Sequence, residues 1–293
     1  MRDGGGAGNG HIPLIVALLT PLTAEERMDA PALAEHVRQL LGEGVDGFFI
    51  CGTTGEGPLL DDDDVALATR VTVETCGGRA RVTTQVGRPG TGATLRLLER
   101  AREAGADDVA VVSPYYYELD ESEIEAHYRA ALAAAGSIRV YAYAIPRRTG
   151  NDLEPELVRR LAGQGLAGIK DSTRSLNRHR QYLSVAQEHR GQGFSVFMGS
   201  DSLAHAALMG GSSGIVSAMA NVRPDLFVRL RAAVSAGHAQ EAADRQAEID
   251  ALRASFQNGS MIAGLKAAVA ERLSPKGVSY PAGVRPPLRP LPR

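Results

Sequence analysis

Lysine is the residue this chain has least of, for its charge. Of 32 basic residues in 293, only Lys170, Lys266 and Lys276 are lysines. Cysteine is nearly as rare. Cys51 and Cys76 give neither a disulfide framework nor a metal-ligand spacing, so a reducing cytosol is expected. Charge of one sign is missing too: the net charge is −2, which leaves no electrostatic case for nucleic acid or an anionic membrane. No apolar run reaches membrane-spanning length, and the stretch 12–19 is too short. The seven histidines are scattered, without HxH or HExxH spacing, so no metal is expected. What is present is 44% hydrophobic and 23% charged residues, the balance of a globular chain with a sizeable core. Residues 1–10 are Gly-rich, with mixed charge and no signal-peptide pattern, and read as a disordered lead-in.

Short β-rich runs alternate with helix-length amphipathic segments. The predicted strands are 12–17, 47–51, 81–86, 108–112, 139–144, 166–170, 195–198 and 214–217. Most are near-continuous apolar runs, as expected of parallel strands buried on both faces. Predicted helices between them include 30–41, 95–104, 123–134 and 201–209, the last opening on an acidic residue suited to a helix N-terminus. Eight such units argue for a (β/α)8 barrel over residues 11–222. An open doubly wound sheet is disfavoured, because no Gly-rich phosphate fingerprint follows the first strand. Segments 224–235, 239–257 and 261–272 read as further helices, so 223–293 is predicted to be a C-terminal helical extension and tail.

Where one basic residue is kept as lysine in an arginine-using chain, the choice has a reason. Lys170 follows the apolar run Leu166-Ala167-Gly168-Ile169 and precedes Asp171. A desolvated lysine can lose its proton and attack a carbonyl, which an arginine cannot. The other reading is a snorkelling strand-end lysine paired with Asp171. In a barrel, chemistry gathers at the C-terminal ends of the strands, and suitable groups fall there. The Gly52-Thr53-Thr54-Gly55-Glu56-Gly57 loop follows strand 2, and its small residues expose donors that suit a carboxylate. Tyr115, Tyr116 and Tyr117 follow strand 4, and Tyr143 ends strand 5, with Arg148 close behind. Gly199, with Ser200 and Asp201, ends strand 7. An amine, a donor-rich loop, an arginine and a tyrosine together fit imine chemistry on a 2-oxo acid.

Other signals lead elsewhere. Gly210-Gly211-Ser212-Ser213-Gly214 matches the nucleophile-elbow pattern, but a helix precedes it and a strand follows, the reverse of what an elbow needs. Asp61–Asp64 reads as the start of a solvated helix, where carboxylates favour the positive dipole end. Cys51 reads as a small core residue.

Five motifs in order resemble the class I pyruvate-dependent lyases and synthases typified by dihydrodipicolinate synthase and N-acetylneuraminate lyase. They are Gly52-Thr53-Thr54-Gly55-Glu56; Pro114-Tyr115-Tyr116; Tyr143 with Ile145-Pro146; Gly168-Ile169-Lys170-Asp171; and Gly214-Ile215-Val216-Ser217 with Ala220-Asn221-Val222. The likeness spans roughly residues 12–290. It implies that Lys170 forms a Schiff base with the keto carbon of pyruvate, with no other cofactor. It further implies that Thr53 and Thr54 hold the carboxylate, that Tyr143 is the acid/base, and that Thr53 and Tyr116 complete a proton relay, Tyr116 reaching across a subunit interface. The Val216 carbonyl and Gly199 would line the substrate site. The partners implied are a small 2-oxo acid, an aldehyde and further copies of the chain, as a dimer of dimers.

Within that resemblance, Arg148-Thr149-Gly150 looks like the synthase arginine that binds the carboxylate of aspartate semialdehyde, and the double threonine points the same way. Ala144, where the usual residue after the tyrosine is Asn, and Tyr117, where a polar residue usually follows the tyrosine pair, depart from that branch, and Gly57-Pro58 looks more like sugar-acid aldolases and unassigned members. The loop after Glu56 lacks the histidines of lysine-sensitive synthases. A barrel that binds a 2-oxo acid without turning it over is the non-enzymatic alternative.

Overall fold

The computed structural model describes residues 11–256 and 260–291. The expected disordered lead-in at 1–10 lies outside the described residues, as does the predicted helix end at 257. Eight parallel strands close into a barrel in sequence order: β1 (Leu14–Ala17), β2 (Gly47–Ile50), β3 (Arg81–Gln85), β4 (Asp108–Val112), β5 (Arg139–Ala144), β6 (Gly168–Asp171), β7 (Ser195–Met198) and β8 (Gly214–Ser217). β8 closes on β1 with Ile15 opposite Val216.

Successive strand residues point to opposite faces, and here both faces are apolar. Val16, Phe48, Val82, Val109, Val140, Ile169, Val196 and Ile215 face outward into the layer between strands and helices. Ala17, Phe49, Ala110, Val112, Tyr141, Tyr143 and Val216 form a second, inner cluster. Two apolar faces explain the near-continuous hydrophobic runs. They also explain why the inner face, where chemistry must sit, is built from aromatics and small residues.

Helix starts follow their caps. Asp29 accepts from the Ala32 amide and opens Ala30–Gly42, and Asp61 opens Asp62–Cys76. Asp120 and Glu123 form a reciprocal capping box at the head of Glu121–Ala134, worth about 1 kcal/mol. The helix after β3 runs Thr91–Glu103, a turn earlier than its apolar spacing predicts. The segment after β7 divides into a short 3₁₀ turn, Asp201–Leu203, and a helix, Ala204–Met209. Asp201 therefore does not head that helix: it is buried and accepts from the Met219 amide at 3.4 Å.

Three more helices, Pro224–Ser235, Ala239–Ser255 and Met261–Leu273, follow the barrel. Asn221 ties the end of the barrel to its beginning. Its amide group donates to Ala17 O at 2.8 Å and accepts from Leu19 N at 3.2 Å. The Nε2–H of His36 donates to the same oxygen at 3.1 Å, and burial holds that imidazole neutral, with its pKa down to about 3. Among the described residues no helix is long and apolar enough to cross a membrane.

Candidate active site

Strand register assembles the site. Tyr143 on β5 lies opposite Lys170 on β6, and Lys170 lies opposite Phe197 on β7. Neighbouring positions on parallel strands point to the same face, so Tyr143 and Lys170 stand side by side inside the barrel mouth. The Lys170 Nζ sits 3.6 Å from the centroid of the Phe49 ring and 4.1 Å from that of Tyr143. Asp171, one residue on, points the other way. It accepts from Nδ1 of His179 at 2.9 Å in a pocket that leaves both groups buried. The strand-end pair of Lys170 with Asp171 is thus ruled out by alternation.

Burial holds the Lys170 amine far below the ordinary lysine range, at about 7, against the opposing field of Asp201. Desolvation disfavours the charged form, and two aromatic faces do not replace a hydration shell. Tyr143 is also pushed up by burial, while hydrogen bonds from Thr53 and Ser172 and the field of Arg148 pull it back. The Thr53 hydroxyl lies 3.1 Å from the Tyr143 hydroxyl.

The loop at 52–57 is held in a shape few sequences allow. Cys51 and Glu56 both have left-handed backbones, at φ 55° and 60°. A Cβ on Gly57 would lie 1.7 Å from the Cys51 carbonyl oxygen, so glycine is obligatory there. Gly57 N donates to Gly52 O at 2.9 Å and Glu56 N to Thr53 O at 3.3 Å. Among the described residues the Thr53 and Thr54 amides have no acceptor, and Thr54 is buried. Unpaired amides beside a buried amine make an anion cradle. Arg88 braces the loop from outside, donating to Gly57 O at 2.9 Å and Leu60 O at 3.0 Å.

Gly199 passes close to the amine. A Cβ there would lie 2.2 Å from the Ser172 hydroxyl and 3.2 Å from Lys170 Cε. Val216 belongs to the inner cluster with Phe49 and Tyr143. Arg148 lies on the exposed short helix after β5, close enough for its field to reach Tyr143. Tyr116 is the one predicted site residue that a single chain does not bring in. It is 87% exposed, with φ at 85°, and stacks edge-on against exposed Tyr117. Asn151 fixes that loop, donating to Pro114 O and Tyr117 O at 2.8 Å each.

Sequence reasoning missed the part played by four residues, although it had placed two of them, Glu56 and Asp201, at strand ends. Phe49 read as an ordinary strand residue, and inward alternation on β2 was the signal. Asp201 read as a helix opener. Glu56 and Lys266 form a fully buried ion pair across the molecule, and Lys266 also donates to Gly283 O at 2.6 Å. A lysine kept in an alanine-rich helix was the available hint. Among the described residues no cluster of three or more His, Cys, Asp or Glu could hold a metal ion.

Comparison with known proteins identifies the family. The model of the dihydrodipicolinate synthetase family matches residues 12–293. A DapA-like lyase of Halobacterium salinarum is 38% identical over 285 residues, covering 97% of this chain and 89% of that relative. The 4-hydroxy-tetrahydrodipicolinate synthase of Methylococcus capsulatus is 36% identical over 237 residues, covering 80% of each chain. Among solved structures, YagE of E. coli K12, a prophage protein of the dihydrodipicolinic acid synthase family in complex with pyruvate, superposes with a TM-score of 0.89. It is 27% identical over 96% of this chain and 93% of its own. The chain therefore belongs to the dihydrodipicolinate synthetase family of Schiff-base-forming lyases.

Proposed function

We propose that this protein is a pyruvate-dependent class I lyase or synthase whose nucleophile is Lys170. The observation that carries the reading is the buried amine, held at about 7, beside a tyrosine hydroxyl 3.1 Å from Thr53. Unpaired amides at Thr53 and Thr54 suit the pyruvate carboxylate. Neutral Lys170 Nζ attacks the keto carbon. Tyr143 gives a proton to the departing hydroxyl, water leaves and a protonated imine remains. The Tyr143 phenolate then takes a methyl proton to give the enamine, which attacks an aldehyde carbon, and the new alkoxide takes that proton from Tyr143. Water then hydrolyses the imine and frees Lys170. The imine is itself the electron sink, so these steps call for no separate cofactor or metal. Val216 and Gly199 line the space beside Lys170.

For the aldehyde, Arg148 at the mouth and relatives named as synthases favour aspartate semialdehyde, making the reaction that of a 4-hydroxy-tetrahydrodipicolinate synthase. Ala144, Tyr117 and Gly57-Pro58 support a second reading, an aldolase of 2-keto-3-deoxy sugar acids. In either reading Tyr116 enters the relay of a second copy within a dimer of dimers, and the enzyme acts in the cytoplasm on small molecules rather than on nucleic acid or a membrane.

Borohydride reduction in the presence of pyruvate, followed by peptide mass spectrometry, tests the core claim. The Lys170 peptide is expected to carry a reduced pyruvate adduct. Folded protein that gives no adduct would end the pyruvate reading.

A further inference from the structure

Most arginines on this surface are paired. Arg159, Arg160 and Arg178 each meet two carboxylates, and Arg81 and Arg139 share Asp108. Four around the barrel mouth are different. Arg147 and Arg148 lie on the exposed helix after β5. Arg174 lies in the loop after β6, with a left-handed backbone at φ 64°. Arg253 lies in the last turn of Ala239–Ser255, half-buried. None of the four guanidiniums makes an ion pair or a hydrogen bond among the described residues.

The elements that carry them converge. Gln246, seven residues before Arg253 and therefore on the same helix face, donates to Asp201 O at 3.0 Å and accepts from His205 N at 2.9 Å. That anchors the helix over the loop after β7. Burial first, then the fields of Arg147, Arg253 and Arg148, bears down on Arg174. Arg148 also acts on Tyr143, and Arg253 on Asp201, the acid nearest Lys170 in effect. The four cations thus lie along the β5–β7 side of the entrance, above the strands that carry Tyr143 and Lys170.

Unpaired like charges held together, one on a strained backbone, are stabilised when an anion bridges them. The acidic groups nearby are engaged elsewhere. Asp171 turns to His179, Asp152 and Glu154 pair with Arg178, and Asp201 is buried against the turn after β8. We propose that Arg174 and Arg253, with Arg148, form an outer anion subsite that takes the far end of the second substrate, an aldehyde bearing a dianionic phosphate ester or a pair of carboxylates. The proposal rests on the pyruvate reading and narrows it. It departs from aspartate semialdehyde, which Arg148 and the names of the relatives favour, because that aldehyde brings a single carboxylate to several unpaired guanidiniums.

The test uses the borohydride-reduced pyruvate adduct of the full-length protein, in which the inner cradle at Thr53 and Thr54 is already filled. Inorganic phosphate and malonate are titrated into it by calorimetry. At least one is expected to bind with a Kd of about 1 mM or lower, weakened about tenfold in adduct-bearing Arg174→Ala and Arg253→Ala. Tighter phosphate binding points to a phosphate ester, and tighter malonate binding to a dicarboxylate. Adduct that binds neither anion, or variants that bind as tightly as the parent, would overturn the subsite and leave the pyruvate reading standing. Failure to form any adduct would remove the pyruvate reading and the subsite with it.

Discussion

Two opposing effects meet at Lys170. Aromatic faces at 3.6 and 4.1 Å favour the ammonium, by about 2 kcal/mol at best when desolvated. Loss of hydration is worth more, and it wins: the amine sits at about 7 instead of 10.5. Imine formation needs the neutral amine. The neutral fraction climbs from about a tenth at pH 6 to about nine-tenths at pH 8 for such a group. The rate of adduct trapping should therefore rise through neutrality and level off, and a profile still rising steeply at pH 9 would mean an ordinary lysine. The same shift carries a stability signature. The folded state binds the proton less well than the unfolded chain, so the penalty is full below about 7 and disappears above the ordinary lysine range. Lys170→Met should raise the Tm at pH 6 and lose that advantage near pH 10. Thermal scans at both pH values check it, and equal shifts at the two would contradict it.

At the scale of elements, the anion-cradling loop is held from the far end of the chain. Lys266, on Met261–Leu273, pairs with Glu56, and the Arg285 amide donates to the same carboxylate at 2.7 Å. Removing one partner of a buried pair leaves the other charge stranded, at a cost of about 3–5 kcal/mol. Lys266→Met should lose stability of that order in urea titrations and trap pyruvate more slowly. The double variant Lys266→Met, Glu56→Gln, with no lone charge, should recover much of the stability. A single variant as stable as the parent would refute the clamp. This pair also marks the limit of what sequence reveals. The strands were legible because both their faces are apolar, and Lys170, Tyr143 and Thr53 because each lies at a strand end. Lys266 and Glu56 are 210 positions apart, and no local pattern reports a partner at that distance. Asp201 was misread for a related reason: an acid before a helix usually caps it, and only the packing of the turn after β8 turns it inward.

For the whole molecule, the barrel places every proposed reacting group except Tyr116 in one chain. A tyrosine 87% exposed on a left-handed backbone makes sense if a second copy receives it. Mixing Lys170→Met with Tyr116→Phe checks this, because a hybrid dimer holds one site with both groups intact. Activity should reappear as subunits exchange, with native mass spectrometry following the exchange. Hybrids that form yet remain inactive would place Tyr116 in its own chain's site, and Tyr116→Phe active by itself would remove it from the relay. Eightfold alternation made the architecture readable from the sequence. An assembly is expected only through the family likeness, because exposure of a side chain leaves no periodic trace.

Arg285 donates to the backbone of Leu59 at 3.0 Å and to Asp64 at 2.7 Å, besides its contact with Glu26 O. Early elements of the chain are thus fastened by a residue more than 200 positions further on. Strands and helices can pair as they emerge from the ribosome, but the loop at 52–57 lacks its fastening until position 285 has been delivered. If this loop holds substrate as proposed, a barrel folded as far as Lys170 still lacks a braced site until that later segment arrives.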